Sequence, residues 1–360
     1  SAVVNVTVKS PSPSPSSSPA IFLDFPACLF SLPPTASRIN SNFCLFPEAE
    51  AKKETMGLPD SSQDLSSEMD VDAFRRIFPL RFFERHLSES LRPDARPLGK
   101  ARDTNVNFGL VSTADGSALA KIGSTTMLAA IRMEVMTPST DSPDEGCIAI
   151  EFHMPPICSP TVRPGRPAEA APVISKRLSD TILSSGMIDL KELCLVSGKA
   201  AWMGYLDIYC LDADGSLFDA ALLSAGAAFS NLQIPVVALN DNGRIVAING
   251  EGEEESNASM ITEKKEAVNK EKRKLTLKNI PSSLTCILHK SYILADPTAE
   301  EESIMDTLVT VVLDDSDQMV SLYKSGGNVL AYSSAIKSCV ELARKRAKEL
   351  KQILGEMDID

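Results

Sequence analysis

Positive charge is what this chain has too little of. It sets 36 Lys and Arg against 48 Asp and Glu, a net charge of −12 over 360 residues. A free-standing grip on a nucleic-acid backbone needs clustered Lys and Arg. The balance argues against such a grip, though a local basic strip could still be lent to a shared channel. Long apolar runs are missing too. No stretch reaches 18 apolar residues, which excludes a transmembrane helix, and no membrane partner is expected. Histidine is scarce. His86, His153 and His289 fall at no metal-ligand or H-E-x-x-H spacing, so each reads as structural. The eight cysteines, at 28, 44, 147, 158, 194, 210, 286 and 339, form no C-x-x-C pair. That speaks against zinc, and they are too sparse for a disulfide-stapled secreted scaffold. Several lie in apolar strands, where a reduced thiol acts as a small hydrophobe. There is no G-x-S-x-G elbow. Gly198-Lys199 would need Gly at position 193 to form a phosphate loop, and Leu193 stands there.

What is present is ordinary for a globular chain: 43% apolar and 23% charged residues, enough for one large or two modest domains. Residues 1–66 read as a disordered leader, with Ser and Pro dominating 10–19. Met56-Gly57 makes a sensible start, so residues 1–55 are expected to be a translated upstream leader. A transit peptide is the rival. It is opposed by Arg38 being the lone Arg before Arg75.

The pattern then turns periodic. Helices are expected near Asp70–Phe78 and Leu80–Leu87, and a β meander over residues 106–152. Arg163-Pro164-Gly165-Arg166-Pro167 reads as a rigid loop leading into a helix over 168–184, with Ile174, Leu178 and Ile182 on one face. Strands follow near 193–196 and 201–211, closed by the Asp214-Gly215 turn. Phe218, Leu222, Ala225, Phe229 and Leu232 then mark a helix. Ser216 is its expected N-cap, and Asp219 stands where a capping-box acid would. Such a helix start favours anions, because its N–H groups are free and its dipole is positive there. Here it carries apolar Leu217 and Phe218, and Asp219 would compete with a phosphate for the same N–H groups.

A second half begins near Ile234, with strands at 236–239 and 244–248. Residues 249–275, acidic then basic without apolar periodicity, read as a disordered insert. A strand near 284–289, a hairpin over 307–323 turning at 314–317, and an amphipathic helix from Ile336 to Leu354 complete the chain. The outer face of that helix carries Lys337, Arg344, Lys345, Arg346, Lys348 and Lys351, read as a solvated face.

Three stretches carry a resemblance. They are Leu91-Arg92-Pro93-Asp94-Ala95-Arg96-Pro97, close to an Arg-x-Asp-Gly-Arg opening; residues 116–126; and the strand–turn–helix around Ser216. The chain resembles the ribonuclease PH-like ring subunits of the eukaryotic RNA exosome over about residues 75–350, and a plant source is expected. The resemblance implies an α+β ribonuclease PH-like fold: two similar βα halves with mixed sheets packed by helices. Its first subdomain would span 67–233 and its second 234–354, carrying the 249–275 insert. Active relatives hold the attacking phosphate with Gly-Thr-Arg where this chain has Ser216-Leu217-Phe218.

The implied function is therefore a non-catalytic ring wall, with no cofactor and no metal, that guides RNA to 3′-to-5′ processing, rRNA included, and decay. The implied partners are other ring subunits, cap subunits, an associated nuclease and RNA. The implied locations are nucleus, nucleolus and cytoplasm. The alternative is an active phosphate-dependent 3′-to-5′ exoribonuclease. For it, the resemblance places Asp296 and Glu302 where active relatives carry two metal-binding or acid–base aspartates. An acidic loop leading into a strand is the preferred reading of that stretch. Arg163 and Arg166, with Lys176 and Arg177 further along the helix, are the candidates for RNA contact. Pairing with Asp or Glu across a subunit contact is the equal alternative.

Overall fold

The computed structural model describes residues 70–239, 245–248, 272–305, 307–327 and 332–357. The expected leader and residues 249–271 of the expected insert lie outside them. Two helices come first, α1 (70–77) and α2 (Pro79–Ser88), close to the expected bounds. Pro79 sits at the start of α2, where its missing N–H costs nothing.

Strands β1 (Thr104–Phe108), β2 (Gly116–Ile122) and β3 (Thr125–Met136) form the expected antiparallel meander. The fourth strand does not extend it. Strand β4 (Cys147–His153) pairs instead, in parallel, with β6 (Ala200–Asp212), and β6 lies antiparallel to β3. A parallel neighbour needs a crossover, and helix α3 (Ala170–Ser185) supplies it, packed against β4. A 3-10 turn (Leu190–Leu193) and the short β5 (Cys194–Val196) complete the connection. The sheet order is β1-β2-β3-β6-β4, with β5 paired to the start of β6.

Helix α4 (Leu217–Ser230) fills the middle of the molecule. It was expected to bury one face. It is buried all round, from Phe218 to Phe229, as a helix apolar on every side must be. It packs on β2 and β3, and on the far side on β11 (Ser282–His289). Gly116 permits the approach: a Cβ there would stand 2.8 Å from the Ala228 carbonyl oxygen.

The second half follows β7 (Gln233–Ile234) and the hairpin β8–β9 (Val236–Leu239, Ile245–Ile248). Residues 272–275, assigned to the insert from sequence, are built into the domain. Strand β10 (Arg273–Lys274) pairs with β7, and Leu275 is buried. Strands β11, β12 (Tyr292–Ala295), β13 (Leu308–Leu313) and β14 (Met319–Lys324) make an antiparallel sheet in the order β12-β11-β13-β14. A short helix, α5 (Ala299–Ile304), links β12 to β13. Helix α6 (Ser333–Met357) covers β11 and β13 through Cys339, Ala343 and Ala347. Arg346 was expected on the solvated face of that helix. It is buried instead, donating to Thr104 Oγ1 and Glu349.

Candidate functional site

Two turns meet at the interface of the halves: β6 into α4, and β12 into α5. They touch at backbone distance. A Cβ on Gly215 would lie 2.5 Å from the Pro297 carbonyl oxygen. Gly215, Ser216 and Asp296 all take positive φ, at 73°, 49° and 51°. For Ser216 and Asp296 that conformation is strained and persists where the surroundings hold it.

What holds it is Arg102, from the segment before β1. Its guanidinium forks onto Asp296, Nε to Oδ2 at 2.9 Å and Nη2 to Oδ1 at 2.7 Å. The Arg102 backbone N–H adds a third bond to Oδ2 at 2.7 Å. The remaining donors reach Asp214 Oδ2 at 3.3 Å and the carbonyls of Gly215 and Pro297. Arg102 and Asp296 are both buried. Burial pushes the Asp296 carboxyl up, but the hydrogen bonds and charge of Arg102 outweigh it and hold the group below the ordinary carboxylate range. Asp296 is therefore no loop carboxylate leading into a strand. It is the anchor of a buried ion pair at a helix start.

Glu302 lies one turn into α5 and does something the sequence did not suggest. Its Oε1 accepts the Ser216 N–H at 2.8 Å. That N–H is a free donor at the start of α4, the kind that favours an anion. The chain fills this place with its own carboxylate. Burial lifts Glu302 strongly, the Ser216 N–H pulls it back, and the charges of Asp219 and Asp296 lift it further, to about 7.

The expected capping of α4 is not made. The Ser216 hydroxyl gives no cap bond but donates to the Pro297 carbonyl at 3.2 Å. Asp219 turns away from the N–H groups of its own helix. It accepts from Ser283 Oγ at 2.7 Å and from the Thr285 N–H at 2.6 Å on β11. Burial raises it to about 6 despite these donors. So Glu302, rather than Asp219, competes for the anion position. The packing of the two halves decides which acid reaches the turn. Leu217 is partly buried, and Phe218 is buried edge-on against Tyr323, ring centroids 6.2 Å apart. Neither offers a donor.

Two further cations escaped the sequence as site residues. Arg92 is fully buried, with Nε 3.2 Å from Glu301 Oε1, and its Nη1 donates to the Asp296 carbonyl at 3.4 Å. Burial lowers its pKa against the attraction of Glu301. Arg96 Nη1 stands 3.7 Å from Asp296 Oδ2 and also pairs with Asp94. The Arg-x-Asp opening was the signal for these two. Nothing local marks Arg102. Its partners lie 112 and 194 residues away.

The four basic residues proposed for RNA differ in what holds them. Arg163 is exposed with no side-chain partner among the described residues. Arg166 pairs with Glu169 at 2.7 Å, and Lys176 with Asp180 at 2.8 Å, both on the surface. Arg177 is drawn into the junction of the halves. Its guanidinium lies 5.2 Å from the Tyr323 ring centre, and its Nη2 donates to Ser325.

The 3′ exoribonuclease family matches this chain in two pieces, domain 1 over residues 100–235 and domain 2 over residues 279–346. Exosome complex component rrp43 of Schizosaccharomyces pombe is 31% identical over 76% of this chain and 94% of its own length. Exosome complex component Rrp42 of Methanopyrus kandleri is 31% identical over 79% of this chain and 98% of its own. Among solved structures, one described as the Archaeoglobus fulgidus exosome with RNA bound to the active site superposes with a TM-score of 0.63 at 27% identity. It covers 79% of this chain and 98% of its own. The two-domain ribonuclease PH fold is shared throughout. With both domains matched in order and relatives covered nearly end to end, the chain belongs to the ribonuclease PH-like 3′ exoribonuclease family.

Proposed function

We propose that this chain is a non-catalytic wall subunit of an RNA exosome ring, in the place of the 43 kDa subunit. It guides RNA through the central channel for 3′-to-5′ processing, including that of rRNA, and decay. The observation that carries the reading is the closed anion position. Phosphorolysis needs an inorganic phosphate held as nucleophile by preorganised donors. Here the Ser216 N–H is given to Glu302 and the Arg102 fork to Asp296. Leu217 and Phe218 add no donor. A phosphate dianion brought to this turn meets carboxylates whose cations are already spent.

The relatives named as exosome components support placement in a ring, with other ring subunits, cap subunits and an attached nuclease as partners. Nucleus, nucleolus and cytoplasm are the proposed locations. A closed ring of head-to-tail subunits needs two different contact surfaces on each. The chain exposes two apolar areas suited to that: Val71, Ile77 and Phe78 with Leu80 on the first two helices, and Tyr205, Tyr209 and Leu211 on the outer face of the larger sheet.

The test is phosphate-dependent release of nucleoside diphosphates from RNA by the chain assembled with its ring neighbours. None is expected, and clear release overturns the reading. One observation favours the rival enzyme: a carboxyl near pKa 7 at Glu302, suited to proton transfer at neutral pH. Glu302→Gln, which keeps an acceptor for the Ser216 N–H, separates the two. An enzyme loses turnover with intact assembly, whereas a wall subunit has no turnover to lose.

A further inference from the structure

Away from the meeting of the halves, on the outer face of the larger sheet, three side chains converge that no spacing in the sequence announced. The parallel register places Glu151 opposite Asp207 and His153 opposite Tyr209. Side chains two residues apart on a strand share a face, so Glu151, His153 and Asp207 come together. His153 Nε2 stands 3.6 Å from Glu151 Oε2 and 3.9 Å from Asp207 Oδ1. All three potential donor atoms lie within 4.8 Å of one another. The imidazole is not free to swing, because it stacks on Tyr209 with centroids 4.7 Å apart and planes 23° from parallel.

We propose that Glu151, His153 and Asp207 form a surface site for a borderline divalent cation, Zn²⁺ foremost. The separations fit the chemistry. Ligand bonds of about 2.1 Å in a tetrahedral zinc site set donor atoms roughly 3.4 Å apart. The two His153 distances, 3.6 Å to Glu151 and 3.9 Å to Asp207, exceed this by a few tenths of an ångström, which rotation of the exposed Glu151 and half-exposed Asp207 side chains can take up. One neutral imidazole with two carboxylates balances a dication, and that donor set suits Zn²⁺ or Mn²⁺ better than Mg²⁺.

The charges around it point the same way. No Lys or Arg among the described residues pairs with Glu151 or Asp207. Arg132, on the same face of the neighbouring strand, is engaged with Glu134 at 3.2 Å. The residue opposite Asp207 on that strand is Ala130. Two carboxylates and an imidazole thus face one another without a cation of their own. Strand β4 is the terminal strand of the sheet and hangs from β6 alone, so an ion here clamps that edge. In the isolated chain its remaining coordination positions open to solvent.

The experiment uses the full chain, stripped with EDTA and titrated with Zn²⁺, Mn²⁺ and Mg²⁺ by calorimetry and thermal melting, beside Asp207→Asn and His153→Phe. The phenyl ring keeps the stack on Tyr209 and removes the donor nitrogen. One saturable Zn²⁺ is expected per chain, raising the melting temperature. Both variants should weaken it roughly 100-fold, since removing even an outer partner of a metal ligand costs 10–100-fold. Their metal-free melting temperatures should match the parent. Co²⁺ in the same site should show no thiolate-to-metal band. Absence of saturable Zn²⁺ binding overturns the proposal, as does binding unchanged in both variants or carried by cysteine thiolates.

Discussion

Arg102 and Asp296 are both buried, and each exists in the interior because of the other. Removing one partner of such a pair leaves a charge without compensation. Arg102→Met is therefore expected to cost about 3–5 kcal/mol, read from urea unfolding. Adding Asp296→Asn should recover part of the loss, and a double variant no better than the single one would contradict the pairing.

Glu302 sets a pH dependence of the opposite kind. Its pKa rises on folding, from 4.5 to about 7. Between those values the folded chain binds more protons than the unfolded one, so stability falls as pH rises through that window and levels off above it. Asp219, raised from 3.8 to about 6, adds in the same sense. Glu302→Gln keeps an acceptor for the Ser216 N–H and removes the titration. It should gain on the parent as pH rises to 8, by up to about 3 kcal/mol, and equal melting curves at pH 5 and pH 8 would refute this.

At the scale of elements, the start of α4 is where the resemblance places the phosphate grip of active relatives, and here Leu217 and Phe218 pack into the core. Phe218 belongs to the core beneath β14, against Tyr323. Writing the relatives' Thr-Arg into the turn, as Leu217→Thr with Phe218→Arg, should not create phosphorolysis, because Glu302 still holds the Ser216 N–H. It should also cost about 3 kcal/mol or more through the vacated core. Restored nucleoside diphosphate release with an unchanged melting temperature would show that the turn alone had been decisive. Strands β3 and β6 and helix α4 were largely legible as elements, because aromatic, β-branched and apolar-periodic runs leave few options, but not their pairing and packing. The parallel seat of β4 was not legible either. A strand of alternating residues looks alike beside either neighbour, and the crossover helix shows its length but not its destination.

The whole molecule is acidic, so any hold on RNA depends on a few local cations set against a repulsive field. In the assembled ring, Arg163→Ala with Arg166→Ala should reduce the salt slope of RNA binding by about 1–2. Arg177→Ala should leave that slope alone. It should cost about 1 kcal/mol of stability instead, since Arg177 spans from α3 to Tyr323 and Ser325 across the halves. A fall in salt slope for Arg177→Ala, measured by filter binding at several salt concentrations, would return it to the RNA-facing set.

Local pattern in the chain was enough to mark most helices and strands and the Asp214-Gly215 turn. Each of these is set by residues within a few positions of one another, where periodicity and turn chemistry act. Folding decided what those residues do. It brought Arg102 to Asp296 and Glu302 to the Ser216 N–H, turned Asp219 inward to β11, and buried Arg346. It also gathered Glu151, His153 and Asp207 on one face. Such choices rest on contacts between residues far apart in the chain. Burial then sets their energies, because a charge out of water must find whichever partner the packing of the two halves supplies.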